Sequence, residues 1–69
     1  MSTVIPVIIQ DGDKVVKELA VIFNRPFTQF SIKKGNNSYL MISREKFQSI
    51  IDDATEKGYD VYDYTDFYF

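Results

Sequence analysis

Carboxylates are the side chains of this sequence best suited to chemistry, and they recur at short spacing. Asp52, Asp53 and Glu56 fall within one helical turn of each other. Asp60, Asp63 and Asp66 then follow at every third position, among the rings Tyr59, Tyr62, Tyr64, Phe67, Tyr68 and Phe69. Asp11 and Asp13 flank Gly12. Grouped carboxylates bind hard cations or act as general acids and bases. Asp11-Gly12-Asp13 begins like a calcium loop, but it lacks the spaced third ligand, the glycine at the sixth position and the glutamate at the twelfth. Turn or cap chemistry is the better reading. Asp52, Asp53 and Glu56 could hold magnesium weakly, but a solvated helix face explains them more simply. Acid–base work also needs a sheltered cleft to shift a carboxylate pKa, and a chain this short has little room for one.

The absences point the same way. The chain has no Cys and no His, so it lacks thiolates, the usual zinc ligands and the commonest general base. No catalytic residue, metal site or cofactor is expected. Sixty-nine residues make one domain, 1–69, with a marginal core that buries only about 60% of its unfolded surface. Without disulfides or metals, oligomerisation is the remaining way to add buried area, and a homodimer is expected. Hydrophobic content of 45% is that of a folded domain. No stretch approaches the ~20 apolar residues of a membrane span, and the first ten residues lack a basic leader. The expectation is a soluble, cytoplasmic protein. The bias toward Lys, Ile, Asn, Asp, Tyr and Phe suggests a low-GC genome, and the small size suggests a bacteriophage.

Several elements position these groups. Val4 to Ile9 is β-branched and reads as a strand, with Pro6 expected at its start or on an edge. Phe27–Lys34 and Ser38–Ser43 form a hairpin around Gly35-Asn36-Asn37. Ser43 caps a helix over Arg44–Lys57 whose apolar stripe is Phe47, Ile50, Ile51 and Ala54, with Gly58 as its stop. A strand follows from Tyr59, expected to reach Thr65.

Residues 13–24 are ambiguous. Asp11-Gly12 between apolar runs signals a hairpin, while Asp13 can also cap a helix. At a helical period, Val15, Val16, Leu19, Ala20, Ile22 and Phe23 sort to one side, and Lys14, Lys17, Glu18 and Asn24 to the other. At a strand period, Lys17 shares the face of Val15 and Leu19. The helix sorts better, and Arg25-Pro26 would end it. The expected fold is therefore α+β, a small antiparallel sheet with two helices on one face in the ferredoxin-like order βαββαβ. If Asp-Gly makes a hairpin, the order is ββββαβ with one helix.

Charge divides the chain. Residues 1–46 carry seven bases and four acids; residues 47–69 carry one base and six acids. Arg44 and Lys46 open the second helix and Asp52, Asp53 and Glu56 close it, both against the helix macrodipole. An arrangement that stability does not favour suggests binding. The expectation is a non-enzymatic protein-interaction module, an inhibitor or modulator. Its partner-binding residues are Asp52, Asp53, Glu56, Asp60, Tyr62, Asp63, Tyr64, Asp66 and Tyr68. A row of carboxylates with rings can imitate a nucleic-acid backbone, so the expected partner is a protein, and one that itself binds nucleic acid is the sharper version of that expectation. Direct nucleic-acid binding through Lys33, Lys34 and the aromatics Phe27, Phe30 and Tyr39 is the alternative, opposed by a sequence pI near 4.8. An accessory subunit of a larger complex is a further alternative.

Overall fold

The computed structural model describes residues 3–24 and 26–67, with the side chains of Asp66 and Phe67 outside that description. Five strands form one antiparallel sheet: β1 (Thr3–Asp11), β2 (Lys14–Asn24), β3 (Phe27–Lys33), β4 (Tyr39–Ile42) and β5 (Asp60–Asp63). The helix α1 (Arg44–Glu56) joins β4 to β5, and a 3-10 helix, Tyr64–Phe67, follows β5. Strands one to four are a meander, and α1 carries the chain back so that β5 docks on the far side of β1, giving the order β4-β3-β2-β1-β5.

The fold is α+β, but the helix expected over residues 13–24 is a strand. Gly12, at the first central position of the β1–β2 turn, has φ +64°. This is the Asp-Gly hairpin, with glycine at the positive φ that tight hairpin turns need. Among the described residues the order is therefore ββββαβ with one α-helix, and the expected pair of helices is corrected. The strand period failed because of a bulge. Ile9 pairs with Lys17, but Gln10 pairs with Val15, leaving Val16 as an extra residue. The bulge puts Val15 opposite Gln10 and Lys17 opposite Ile9, so the two do not share a face. Stiff β-branched Val15, Val16, Val21 and Ile22 agree with the strand.

The core lies between the sheet and α1. Ile5, Val7 and Ile9 of β1, Leu19 and Val21 of β2 and Ile32 of β3 meet Phe47 and Ala54 of the helix, with Phe30, Ile50, Ile51, Tyr59 and Val61 packed around them. The rings of Phe30 and Phe47 lie 4.9 Å apart, tilted by 52°. This is the stripe read from sequence.

Both ends of α1 are closed as well. The Ser43 hydroxyl accepts from the Lys46 N–H at 3.0 Å. At the other end Gly58 has φ +82°. Its N–H donates to the Thr55 carbonyl and the Tyr59 N–H donates to the Ala54 carbonyl, both at 3.0 Å. That is the Schellman pattern, and it ties the helix exit to a ring that joins the core.

β5 is shorter than expected. It ends at Asp63, whose carboxylate accepts from both the backbone N–H and the hydroxyl of Thr65. A side chain that captures the N–H two residues on diverts the backbone from the ladder, so the segment turns into the 3-10 helix instead of continuing to Thr65. Pro6 is reconciled by the same short strand. β5 pairs only with Val7 to Gln10, so β1 is still an edge beside Pro6, where a residue without an N–H is tolerated.

Candidate functional site

A strand sends alternate side chains to opposite faces, and among the described residues α1 packs on only one of them. The other face is built from the register upward. Its central row is Pro6, Ala20, Ser31 and Met41, paired across β1 to β4. On one side lies the row Val4, Ile22 and Gln29. On the other lie Tyr62, Ile8 and Glu18, with Lys33 and Tyr39 paired beyond them. Phe27 pairs with Asn24 at the same face, and Asp60 with Gln10.

This face is largely apolar, yet much of it meets solvent. Val4 is 46% exposed, Met41 49%, Tyr62 44% and Phe27 71%. Its middle is sunken, because the residues there are small. Ala20 and Ser31 are buried, and the Ser31 hydroxyl donates to the Ala20 carbonyl at 3.1 Å. Val4, Pro6, Ile8, Ala20 and Tyr39 border a shallow depression of about 110 Å³. The charged groups around it nearly cancel. Lys33 Nζ lies 3.5 Å from a Glu18 carboxylate oxygen, and Asp60 stands at the β5 border.

The expected partner-binding residues are distributed over three places. Asp60 and Tyr62 lie on the uncovered face, through their pairing with Gln10 and Ile8. Asp52, Asp53 and Glu56 lie on α1, exposed, on the other side of the sheet. Asp63 pairs with Val7 on the helix side and is engaged by Thr65. Tyr64 opens the 3-10 helix, 39% exposed. Asp66 lies in that helix with its side chain outside the described residues, and Tyr68 is outside them altogether. The structure thus brings Asp52, Asp53 and Glu56 together, and separately Asp60 with Tyr62, but it does not join the two groups.

On α1, Glu45, Gln48, Ser49, Asp52, Asp53 and Glu56 line one shallow acidic concavity. Gln48 donates to Asp52 at 3.0 Å. Lys57 Nζ stands 3.0 Å from an Asp53 oxygen, and the hydrogen bond and charge of that carboxylate raise the Lys57 pKa above its ordinary value. The last turn of the helix has no basic residue. Among the described residues no group of three carboxylates converges as metal ligands, and no buried side-chain polar atom lacks a partner. A larger groove of about 760 Å³ opens on the helix side. Phe30, Ile42 and Phe47 line it, with Arg44 and Asp63 as its charged members.

The aromatics of the nucleic-acid alternative do not share a face. Phe30 packs against Phe47 in the core, whereas Phe27, Tyr39 and Lys33 lie on the uncovered side. Among the described residues no helix is long and apolar enough to cross a membrane.

Sequence reasoning passed over Val4, Pro6, Ile8, Ala20 and Met41. The available signal was in β1, where Val4-Ile5-Pro6-Val7-Ile8-Ile9 is apolar at both parities. A strand of that kind has two faces suited to burial, and one helix covers one of them. Comparison with protein-family models, curated proteins and solved structures gave no match.

Proposed function

We propose that this chain is a non-enzymatic protein-interaction module whose contact surface is the uncovered face of its sheet, bordered by Tyr62 and Asp60 of β5. One observation carries the reading. Valine, proline, isoleucine, methionine and aromatic side chains from all five strands share one face around Ala20 and Ser31, with Glu18, Lys33, Gln29 and Asp60 toward its margins, and Val4, Met41, Tyr62 and Phe27 remain substantially exposed on it. Contiguous apolar patches on small proteins mark contact sites. Exposed rings and Met at the patch are the residue types enriched in protein interfaces. Lys33 paired with Glu18, and Asp60 nearby, leave no excess positive charge for a polyanion, which favours a protein over a nucleic acid.

The test is capture of host proteins by the intact chain and by a Val4→Glu, Met41→Glu double variant. Both positions are about half exposed, so the fold tolerates the charges. Partners lost with the double variant and kept with Glu56→Lys support the reading. Partners kept by the double variant, in a chain that also does not self-associate through this face, refute it.

The acidic side of α1 favours a second reading. Asp52, Asp53 and Glu56 at its C-terminal end oppose the macrodipole, whereas Glu45 in its first turn complements it, and Lys57 pairs with Asp53. Such a surface suits a basic protein, including one that binds nucleic acid, and in that role the row would act as a nucleic-acid mimic. Competition between this chain and DNA for such a protein, abolished by Asp52→Asn with Glu56→Gln, is the corresponding test.

A further inference from the structure

We infer that the occupant of the uncovered sheet face is a second copy of this chain, packed face to face to give layers in the order helix, sheet, sheet, helix. The inference rests on the reading of that face as a protein-contact surface.

Area is the first argument. Five strands at about 4.8 Å spacing make a sheet about 24 Å wide, and the paired lengths of β1 to β3 span roughly 20–30 Å. A projected face of roughly 500–700 Å² corresponds to somewhat more accessible surface, close to the about 800 Å² per partner of a stable complex.

Charge is the second. Two copies meeting through their helices would set Asp52 and Glu56 against the same carboxylates. Two copies meeting through the sheets would oppose surfaces on which Glu18 and Lys33 already pair within each copy and the further charge Asp60 stands at the β5 border, away from the central row. Like-charge juxtaposition disfavours the first arrangement and leaves the second open.

Shape is the third. The depression of about 110 Å³ beside Pro6 and Ala20 has room for one apolar side chain, and Met41, at the β4 end of the same central row, is half exposed. A two-fold interface is self-complementary, so each copy offers both the projection and the recess. Sheets packed in this way lie about 10 Å apart with interdigitated side chains.

Sedimentation equilibrium from low micromolar to millimolar concentration tests the inference. The intact chain is expected to approach the mass of a dimer of 8.1 kDa chains. Val4→Glu with Met41→Glu is expected to weaken association on the order of a hundredfold or more, because burying unpaired carboxylates is costly, with an unchanged far-ultraviolet dichroism spectrum. Glu56→Lys on the helix is expected to leave the dimer intact. A chain that stays monomeric throughout, or a double variant that still dimerises as tightly, overturns the inference. If the chain is monomeric and the double variant nevertheless loses captured host proteins, the face binds a different protein and only the second-copy assignment fails. If the chain is monomeric and capture is unchanged, both fail. A monomer whose double variant loses binding to single-stranded RNA or DNA places a nucleic acid on the face and refutes both.

Discussion

The Ser31 hydroxyl donates to the carbonyl oxygen of Ala20 at 3.1 Å, a side-chain bond between adjacent strands on the face that the helix does not cover. Ser31 is completely buried there, and no buried polar side-chain atom among the described residues is left unsatisfied. The bond lets a polar residue occupy the sunken centre of an apolar surface. Ser31→Ala is expected to cost about 1 kcal/mol, the net value of an ordinary hydrogen bond. Ser31→Leu fills the centre and is expected to cost about 1–3 kcal/mol through overpacking. Urea titration of both variants gives the comparison.

The β1–β2 turn rests on backbone conformation alone. Gly12 has φ +64°, and a Cβ built there meets no atom within 4 Å. Gly12→Ala therefore carries no clash, only the penalty of the left-handed region, about 1–2 kcal/mol. Gly12→Asn is expected to cost less, since asparagine visits that region more readily. If the two variants unfold at the same urea midpoint, the penalty does not come from φ.

The same logic applies at the exit of α1. Gly58 at φ +82° also has open space around it, and its Schellman bonds orient Tyr59 toward the core. Gly58→Ala is expected to cost about 1–2 kcal/mol, and Ser43→Ala at the entrance about 1 kcal/mol. The sites are at opposite ends of the helix, so the double variant is expected to show the sum within a few tenths.

Much of this was legible in the sequence. Ser43, the stripe Phe47, Ile50, Ile51 and Ala54, and Gly58 specify α1 through three independent local signals. The Gly35-Asn36-Asn37 hairpin was equally plain. β2 was obscured by a single inserted residue, because Val16 breaks the two-residue alternation and lets the remaining apolar positions mimic a helical stripe. The turn chemistry of Asp11-Gly12 was the better guide. The site was half legible. Tyr62 and Asp60 were singled out for their types, yet only the register reveals that they border Ile8 and Gln10 on a face away from Asp52 and Glu56. Asp63 stood out as a charge among rings, and its carboxylate instead shapes the turn at Thr65.

The acidic end of α1 yields a prediction of opposite sign to the others. Glu56→Lys puts a base in a last turn that has none and places it four residues after Asp52. Both changes are favourable, and the variant is expected to be more stable by about 0.5 kcal/mol. A variant that gains stability but loses competition with DNA for a basic protein would mark the helix surface as selected for binding. A gain in stability with unchanged binding leaves the sheet as the contact face.

Isotope-filtered nuclear Overhauser spectroscopy on a mixture of labelled and unlabelled chains records only contacts between copies and so distinguishes the sheet face from the helix as the dimer surface. Intermolecular cross-peaks are expected among Val4, Ile8, Ile22, Tyr39 and Met41, and none from Ile50 or Ile51 beneath the helix. Intermolecular cross-peaks confined to the helix, or none at concentrations where the claimed dimer should be populated, would contradict the sheet-face assignment.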